Sequence, residues 1–104
     1  MSSEVEFIHE SGINRSHKAI IYVLSTCGFC HRALTFLRDH SIEFNYVYVD
    51  KLERKIVGDL REELKEKFGR RVSYPFLVVD DEKFLVGFNE EDYKKLFELG
   101  REFH

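Results

Sequence analysis

Six consecutive apolar residues, Ala19-Ile20-Ile21-Tyr22-Val23-Leu24, constrain the fold of this chain more than any other feature. A run this long without a polar interruption, and rich in β-branched side chains, reads as a strand buried on both faces of a sheet, because a strand with one wet face alternates. Immediately after it, Phe29, Ala33, Phe36 and Leu37 recur at i, i+4, i+7 and i+8, which predicts a helix that begins at or just after Cys27 and ends near His40. A buried central strand therefore hands over directly to a helix, with Cys27 and Cys30 at the junction.

The remaining segments supply partners for that strand. "IEFNYVYVD" predicts a second strand from its β-branched and aromatic content. Leu52, Ile56, Leu60, Leu64 and Phe68 then recur every four residues among charges, predicting an amphipathic helix with Gly69 at its C-cap, although Gly58 inside it lowers its helix propensity. "YPFLVV" and "KFLVGF" flank the acidic turn "DDE" as a hairpin, and Asn89 caps a last helix. That helix carries Glu90, Glu91 and Asp92 in its first turn, where they complement the dipole, and Tyr93, Leu96 and Phe97 on its apolar side. The order is βαβαββα. Residues 1–17 are polar and without clear periodicity, so they read as an N-terminal extension, with one domain over 18–100 and a short tail at 101–104.

Composition narrows the function classes. A chain of 104 residues makes one domain that buries roughly two-thirds of its unfolded surface, and ten Phe and five Tyr supply much of the core volume. The formal net charge is −3 with both signs intermixed, so no basic field is present to attract a nucleic-acid backbone. No apolar run is long enough for a signal peptide or a membrane span. A cytoplasmic protein with no nucleic-acid or membrane partner is expected. In a reducing compartment, cysteines at C-x-x-C spacing are catalytic or metal-binding rather than structural.

Cys27 and Cys30 are the only cysteines. A thiol attacks a disulfide as its thiolate, and a helix N-terminus stabilises that anion with unpaired backbone N–H groups and the positive end of its dipole. Cys27, where strand meets helix, is the expected nucleophile. Cys30 lies about one turn further, within reach of a mixed disulfide formed on Cys27, and is the expected resolving residue with a more ordinary thiol. Gly28 lets backbone approach a substrate, and the ring of Phe29 can cover one side of the site. Zinc would need four ligands, and no two of the five histidines (His9, His17, His31, His40, His104) stand three to five residues apart. C-G-F-C-H also matches a haem attachment string with His31 as axial ligand, but a buried strand before it is the wrong setting. His31 and Arg32 are expected on the exposed side of the first helix.

From about Lys18 to Leu99 the sequence resembles the glutaredoxin family of the thioredoxin superfamily. Three signals in the right order carry the resemblance: the strand with "CGFCHRALTFL", then "VSYPFLVV", similar to the family's Thr-Val-Pro segment, then "FLVGFNEEDYKKLFE", similar to its Gly-Gly-x-Asp segment. The resemblance implies a thioredoxin-like α/β fold, with a four-stranded mixed sheet flanked by helices. It also implies a cis Pro75 facing the cysteines and a thiol-binding surface formed by Gly28, Phe29, Arg71, Tyr74, Pro75, Gly87, Phe88 and Asn89. Thioredoxins usually carry a buried carboxylate six positions before the first active cysteine, where this chain has Ile21, so glutaredoxin fits better. The usual Pro-Tyr pair is here Gly28-Phe29, as in monothiol relatives with Cys-Gly-Phe-Ser, except that the second cysteine is retained. Leu24 stands where members often carry a lysine that meets glutathione, and Phe88 where they carry a second glycine.

These features predict a dithiol oxidoreductase that reduces protein or small-molecule disulfides, without a tightly bound cofactor or metal. The electron donor is expected to be a low-molecular-weight thiol, glutathione or another, or a reductase, with glutathione used weakly. A monomer is expected. The alternative is a dimer holding a [2Fe–2S] cluster through Cys27 of each chain and two external thiols. A third reading is a regulatory domain for which Cys27 is dispensable.

Overall fold

The computed structural model describes residues 5–99. Nine elements follow in order: β1 (Ile8–Glu10), β2 (Ala19–Val23), α1 (Gly28–Asp39), β3 (Phe44–Tyr48), a 3-10 turn (Val49–Lys51), α2 (Arg54–Phe68), β4 (Phe76–Val79), β5 (Lys83–Val86) and α3 (Glu90–Phe97). The strands form one mixed sheet in the order β1-β3-β2-β4-β5. β2 pairs parallel with β3 and antiparallel with β4, and β1 and β5 add antiparallel edges.

Because side chains alternate across a strand, this sheet has two apolar faces. Ile21, Val23, Phe44, Tyr46, Leu77 and Val79 face one layer, built from Ala33, Leu34 and Leu37 of α1 and Tyr93 and Phe97 of α3. Tyr22, Val47, Phe76 and Val78 face the other, against Leu60 and Leu64 of α2. The continuous apolar run of β2 is thus explained: it is central and covered on both sides. The helix ends follow their local chemistry. Asn89 Oδ1 accepts the Asp92 N–H at 3.0 Å, and Gly69 closes α2 at φ 64°, a left-handed position that glycine adopts without steric cost. Among the described residues no helix is long and apolar enough to cross a membrane.

The sheet has five strands, where four were expected. The extra strand is β1, inside the polar N-terminal segment, and backbone hydrogen bonds hold it rather than a buried side-chain pattern. Ile8, His9 and Glu10 pair with Tyr46, Asn45 and Phe44, while Asn14 exchanges backbone bonds with Ser41 (2.9 Å) and Glu43 (3.0 Å). Arg38 of α1 holds Glu10 with two bonds, at 3.1 and 2.7 Å. A three-residue edge strand made this way leaves no periodicity to read in its sequence.

Candidate active site

Sheet register brings the chemistry to one end of the molecule. Phe76 lies opposite Tyr22, so Tyr74 and Pro75 run alongside the segment that leaves β2 for Cys27. Val86 lies opposite Phe76, which carries Gly87 and Phe88 to the same end. Tyr48 lies beside Val23 in the parallel pair, so Asp50 follows there as well. Leu24, Cys27, Tyr74 and Phe88 all pack on the cluster that buries Cys30.

The helix N-cap organises the two sulfurs. Cys27 is itself the N-cap of α1, with extended backbone, and its Sγ accepts the Cys30 N–H at 3.2 Å. A side chain in that position receives a backbone N–H that no helical carbonyl can reach. Cys27 is half-buried and unpaired, whereas Cys30 is fully buried and its Sγ accepts the Leu24 N–H at 3.4 Å. The sequence suggested an ordinary Cys30 thiol, and the structure overturns this. Burial pushes it up to about 12, the hydrogen bond with Cys27 and the Cys27 charge add to this, and the Leu24 N–H opposes it. Cys30 therefore holds its proton while Cys27 is free.

Sequence reasoning missed the clamp on the loop between β2 and α1. Asp50 accepts the Ser25 N–H at 2.9 Å and the Ser25 hydroxyl at 2.5 Å, and these two bonds hold its carboxyl below the usual carboxylate range. On the other side, His31 Nε2–H donates to the Ser25 carbonyl at 3.0 Å. Ser25 is thus tied to the end of β3 and to α1 together, which fixes Leu24, whose carbonyl accepts the Cys27 N–H at 3.4 Å. No motif marks Asp50 beforehand, because its partner lies 25 positions away.

The other expected residues fall into two groups. Around the cysteines, Tyr74–Pro75 is a cis peptide and Pro75 is fully buried. The Tyr74 hydroxyl is buried without a hydrogen-bond partner, and burial raises its pKa. Gly87 has φ 80° and donates its N–H to the Pro75 carbonyl at 2.8 Å, while its own carbonyl accepts the Tyr93 hydroxyl at 3.3 Å. The Phe88 ring packs edge-on against Tyr93 at 4.9 Å and near Phe36 at 5.9 Å. Asn89 uses its side chain on its own helix cap. Gly28 faces open space, so a side chain there would meet nothing. Phe29 is 58% exposed, with the Arg32 guanidinium over its ring at 5.6 Å. Arg71 is exposed and lines a hollow of about 320 Å³ with Gly58, Arg61, Glu62 and Lys65 of α2 and with Val72.

Comparison with known proteins agrees with this geometry. The glutaredoxin family profile matches residues 19–84. Among solved structures, the glutaredoxin of Methanosarcina mazei Go1 is 38% identical over 89% of this chain and 88% of that one, with a TM-score of 0.75. The methanoredoxin of Methanosarcina acetivorans is 31% identical over 92% and 98%, with a TM-score of 0.76, and the glutaredoxin (grx-1) of Archaeoglobus fulgidus is 35% identical over 76% and 84%, at 0.67. No curated protein matches the chain. The profile match spans well over half of the chain, with both cysteines and the Tyr74–Pro75 loop inside it, and the chain belongs to the glutaredoxin family, with its thioredoxin-like fold.

Proposed function

We propose that the protein reduces disulfides in proteins or small molecules by a dithiol mechanism in which Cys27 attacks and Cys30 resolves. The observation that carries this reading is the asymmetry of the pair: an accessible sulfur at the helix N-cap receives the N–H of a fully buried, protonated partner one turn on. Cys27 thiolate attacks one sulfur of the substrate, and the other sulfur leaves as a thiolate. Cys27 is then neutral in the mixed disulfide, so the charge and hydrogen bond that help keep Cys30 protonated are gone. Cys30 loses its proton and attacks Cys27 Sγ, the substrate sulfur leaves and is protonated, and the two cysteines end as a disulfide. Two electrons from an external thiol or reductase restore the dithiol.

Glutathione is a weak donor in this proposal. It carries two carboxylates, and a partly buried carboxylate without a cationic or N–H partner costs more than its contacts return. Arg70 or Arg71 can hold one carboxylate, but Leu24 offers no charge, Glu90 and Glu91 repel the other at the N-terminus of α3, and Phe88 adds bulk beside it. A dithiol, a smaller thiol or a dedicated reductase serves better.

A Cys30→Ser variant tests the mechanism directly. Mixed disulfides should accumulate on Cys27 when it meets disulfide-bearing substrates, and iodoacetamide at pH 6 should label Cys27 before Cys30 in the unmodified reduced protein. Trapping through Cys27→Ser instead would refute the assignment. Protein purified without oxygen should be colourless, whereas a brown product would favour the cluster-bridging alternative through Cys27.

A further inference from the structure

The core holds an ionisable group beside the cysteines that the exchange chemistry leaves unused. Tyr93 of α3 is fully buried in the same cluster as Cys30. Its ring is held edge-on from two sides, by Phe36 of α1 at 5.6 Å and by Phe88 at 4.9 Å. Phenylalanine would fill this place equally well, so packing does not call for the hydroxyl. Nor does a strong hydrogen bond. The hydroxyl donates to the Gly87 carbonyl at 3.3 Å, whereas an O–H···O bond usually measures about 2.7–2.8 Å. A hydroxyl taken out of water for so long a bond is a net cost to the fold.

Cys30 needs what this hydroxyl can offer. To attack Cys27 Sγ it must form a thiolate in a fully buried place. The charges that bear on it most, Cys27 and Asp50, both oppose ionisation, and the Leu24 N–H at 3.4 Å favours it. His31, the next residue along α1, turns its ring to the Ser25 carbonyl instead. From α3, Tyr93 lies close enough to feel the Cys30 charge, and burial keeps its own proton well above the ordinary phenol range. Tyr93 therefore still carries its proton while Cys30 gives one up.

We propose that Tyr93 is a positioning residue for the resolving step, acting through Cys30: its hydroxyl turns its hydrogen from the Gly87 carbonyl toward the Cys30 sulfur as the thiolate forms, an inference that rests on the oxidoreductase reading above. A hydroxyl hydrogen rotates about its C–O bond without moving the ring, so a loosely bonded one answers a new charge at little cost. In the step itself the Cys30 thiol gives its proton to solvent and its sulfur bonds to Cys27 Sγ. The bond from Cys27 to the substrate sulfur breaks with its electron pair on the substrate, which then takes up a proton. Tyr93 loses no proton and favours only the thiolate state. While Cys30 is protonated the hydroxyl stays on Gly87, whose N–H in turn holds the Pro75 carbonyl at 2.8 Å.

Stopped-flow mixing of the reduced protein with dipyridyl disulfide separates the two steps, since attack by Cys27 releases one chromophoric thiol and attack by Cys30 releases the second. Tyr93→Phe keeps the ring and removes the hydroxyl, and Tyr22→Phe, on the opposite face of the sheet, is the control. In Tyr93→Phe the first release should keep its rate and the second should slow about three- to tenfold, whereas Tyr22→Phe should match the unmodified chain in both. In a Cys27→Ser background, adding Tyr93→Phe should move the titration of Cys30 up by about half to one pH unit, read from the Cβ resonance of isotope-labelled cysteine. An unchanged second release would overturn the proposal. So would a slower release with an unmoved Cys30 titration, which marks a scaffold role. Should Tyr93→Phe fail to fold, the Cζ resonance of labelled Tyr93 in Cys27→Ser must shift with the Cys30 titration, and a fixed resonance overturns the proposal equally. If the unmodified protein releases no second thiol, the oxidoreductase reading itself fails.

Discussion

Leu24 works mainly through its backbone: its N–H points at Cys30 Sγ and its carbonyl receives the Cys27 N–H. Its half-buried side chain packs on both core clusters. A Leu24→Lys variant can extend its charge to solvent along the same path, so it should fold and should gain glutathione-dependent activity by at most about tenfold, the worth of a charge pair of ~1 kcal/mol. Coupled assays with glutathione check this, and efficient use of glutathione by the unmodified protein with no gain in the variant would count against the pocket described here. Asp50 acts one step further back. In Asp50→Ala the Ser25 tether is lost and the Leu24 N–H drifts from Cys30, so the mixed disulfide on Cys27 should live about three- to tenfold longer, as loss of one hydrogen bond predicts. The Asp50 charge opposes ionisation of Cys30 only as the smallest of several contributions. Asp50→Asn, which keeps an acceptor for the Ser25 N–H, should therefore resolve faster than Asp50→Ala. Stopped-flow release of a chromophoric thiol separates the two, and equal rates would reduce the clamp to scaffolding.

The elements divide by what holds them. β2 shows in the sequence as an unbroken apolar run and α1 and α3 by their apolar period, and the caps at Asn89 and Gly69 show because their chemistry is local. β1 does not, since its ladder uses backbone groups that every residue has. Its docking depends on Gly12, where an added Cβ would land on the Ser41 carbonyl oxygen and against the backbone of Ile42 and Glu43. Those atoms belong to the α1–β3 connection and cannot shift cheaply. Gly12→Ala should therefore detach β1, costing of order 1–3 kcal/mol in a urea titration. Hydrogen exchange should show Ile8–Glu10 losing protection while β2 and β4 keep theirs. Unchanged protection in β1 would mean that the segment shifts to accommodate the methyl.

At the scale of the whole molecule, the same burial that keeps Cys30 protonated also sets the alkaline limit of stability. Burial raises the Cys30 thiol from 9.0 to about 12 and the Tyr22 hydroxyl from 10.0 to about 12, and the Tyr93 hydroxyl moves the same way. Above the unfolded values, the unfolded chain has lost protons that the folded protein still binds. Stability is therefore fully present below about pH 9 and declines as pH rises toward 12. Urea midpoints between pH 7 and 11 should fall progressively, and Tyr22→Phe should shift the decline to higher pH by removing one of these protons. A flat profile to pH 11 would contradict the burial of these groups.

From sequence alone came the elements with a hydrophobic period or a local cap, and the chemistry of two cysteines at a strand-to-helix junction, because each of these is decided by residues a few positions apart. The resemblance implied that Tyr74, Gly87 and Phe88 meet that junction, and only the tertiary structure added Asp50 and decided how they arrive. Tyr74, Gly87, Phe88 and Asp50 reach it by strand register, which depends on pairing between segments far apart in the chain. The raised Cys30 thiol likewise depends first on burial, on a helix, a sheet and a loop closing over one sulfur, with Cys27 adding to it from three positions away.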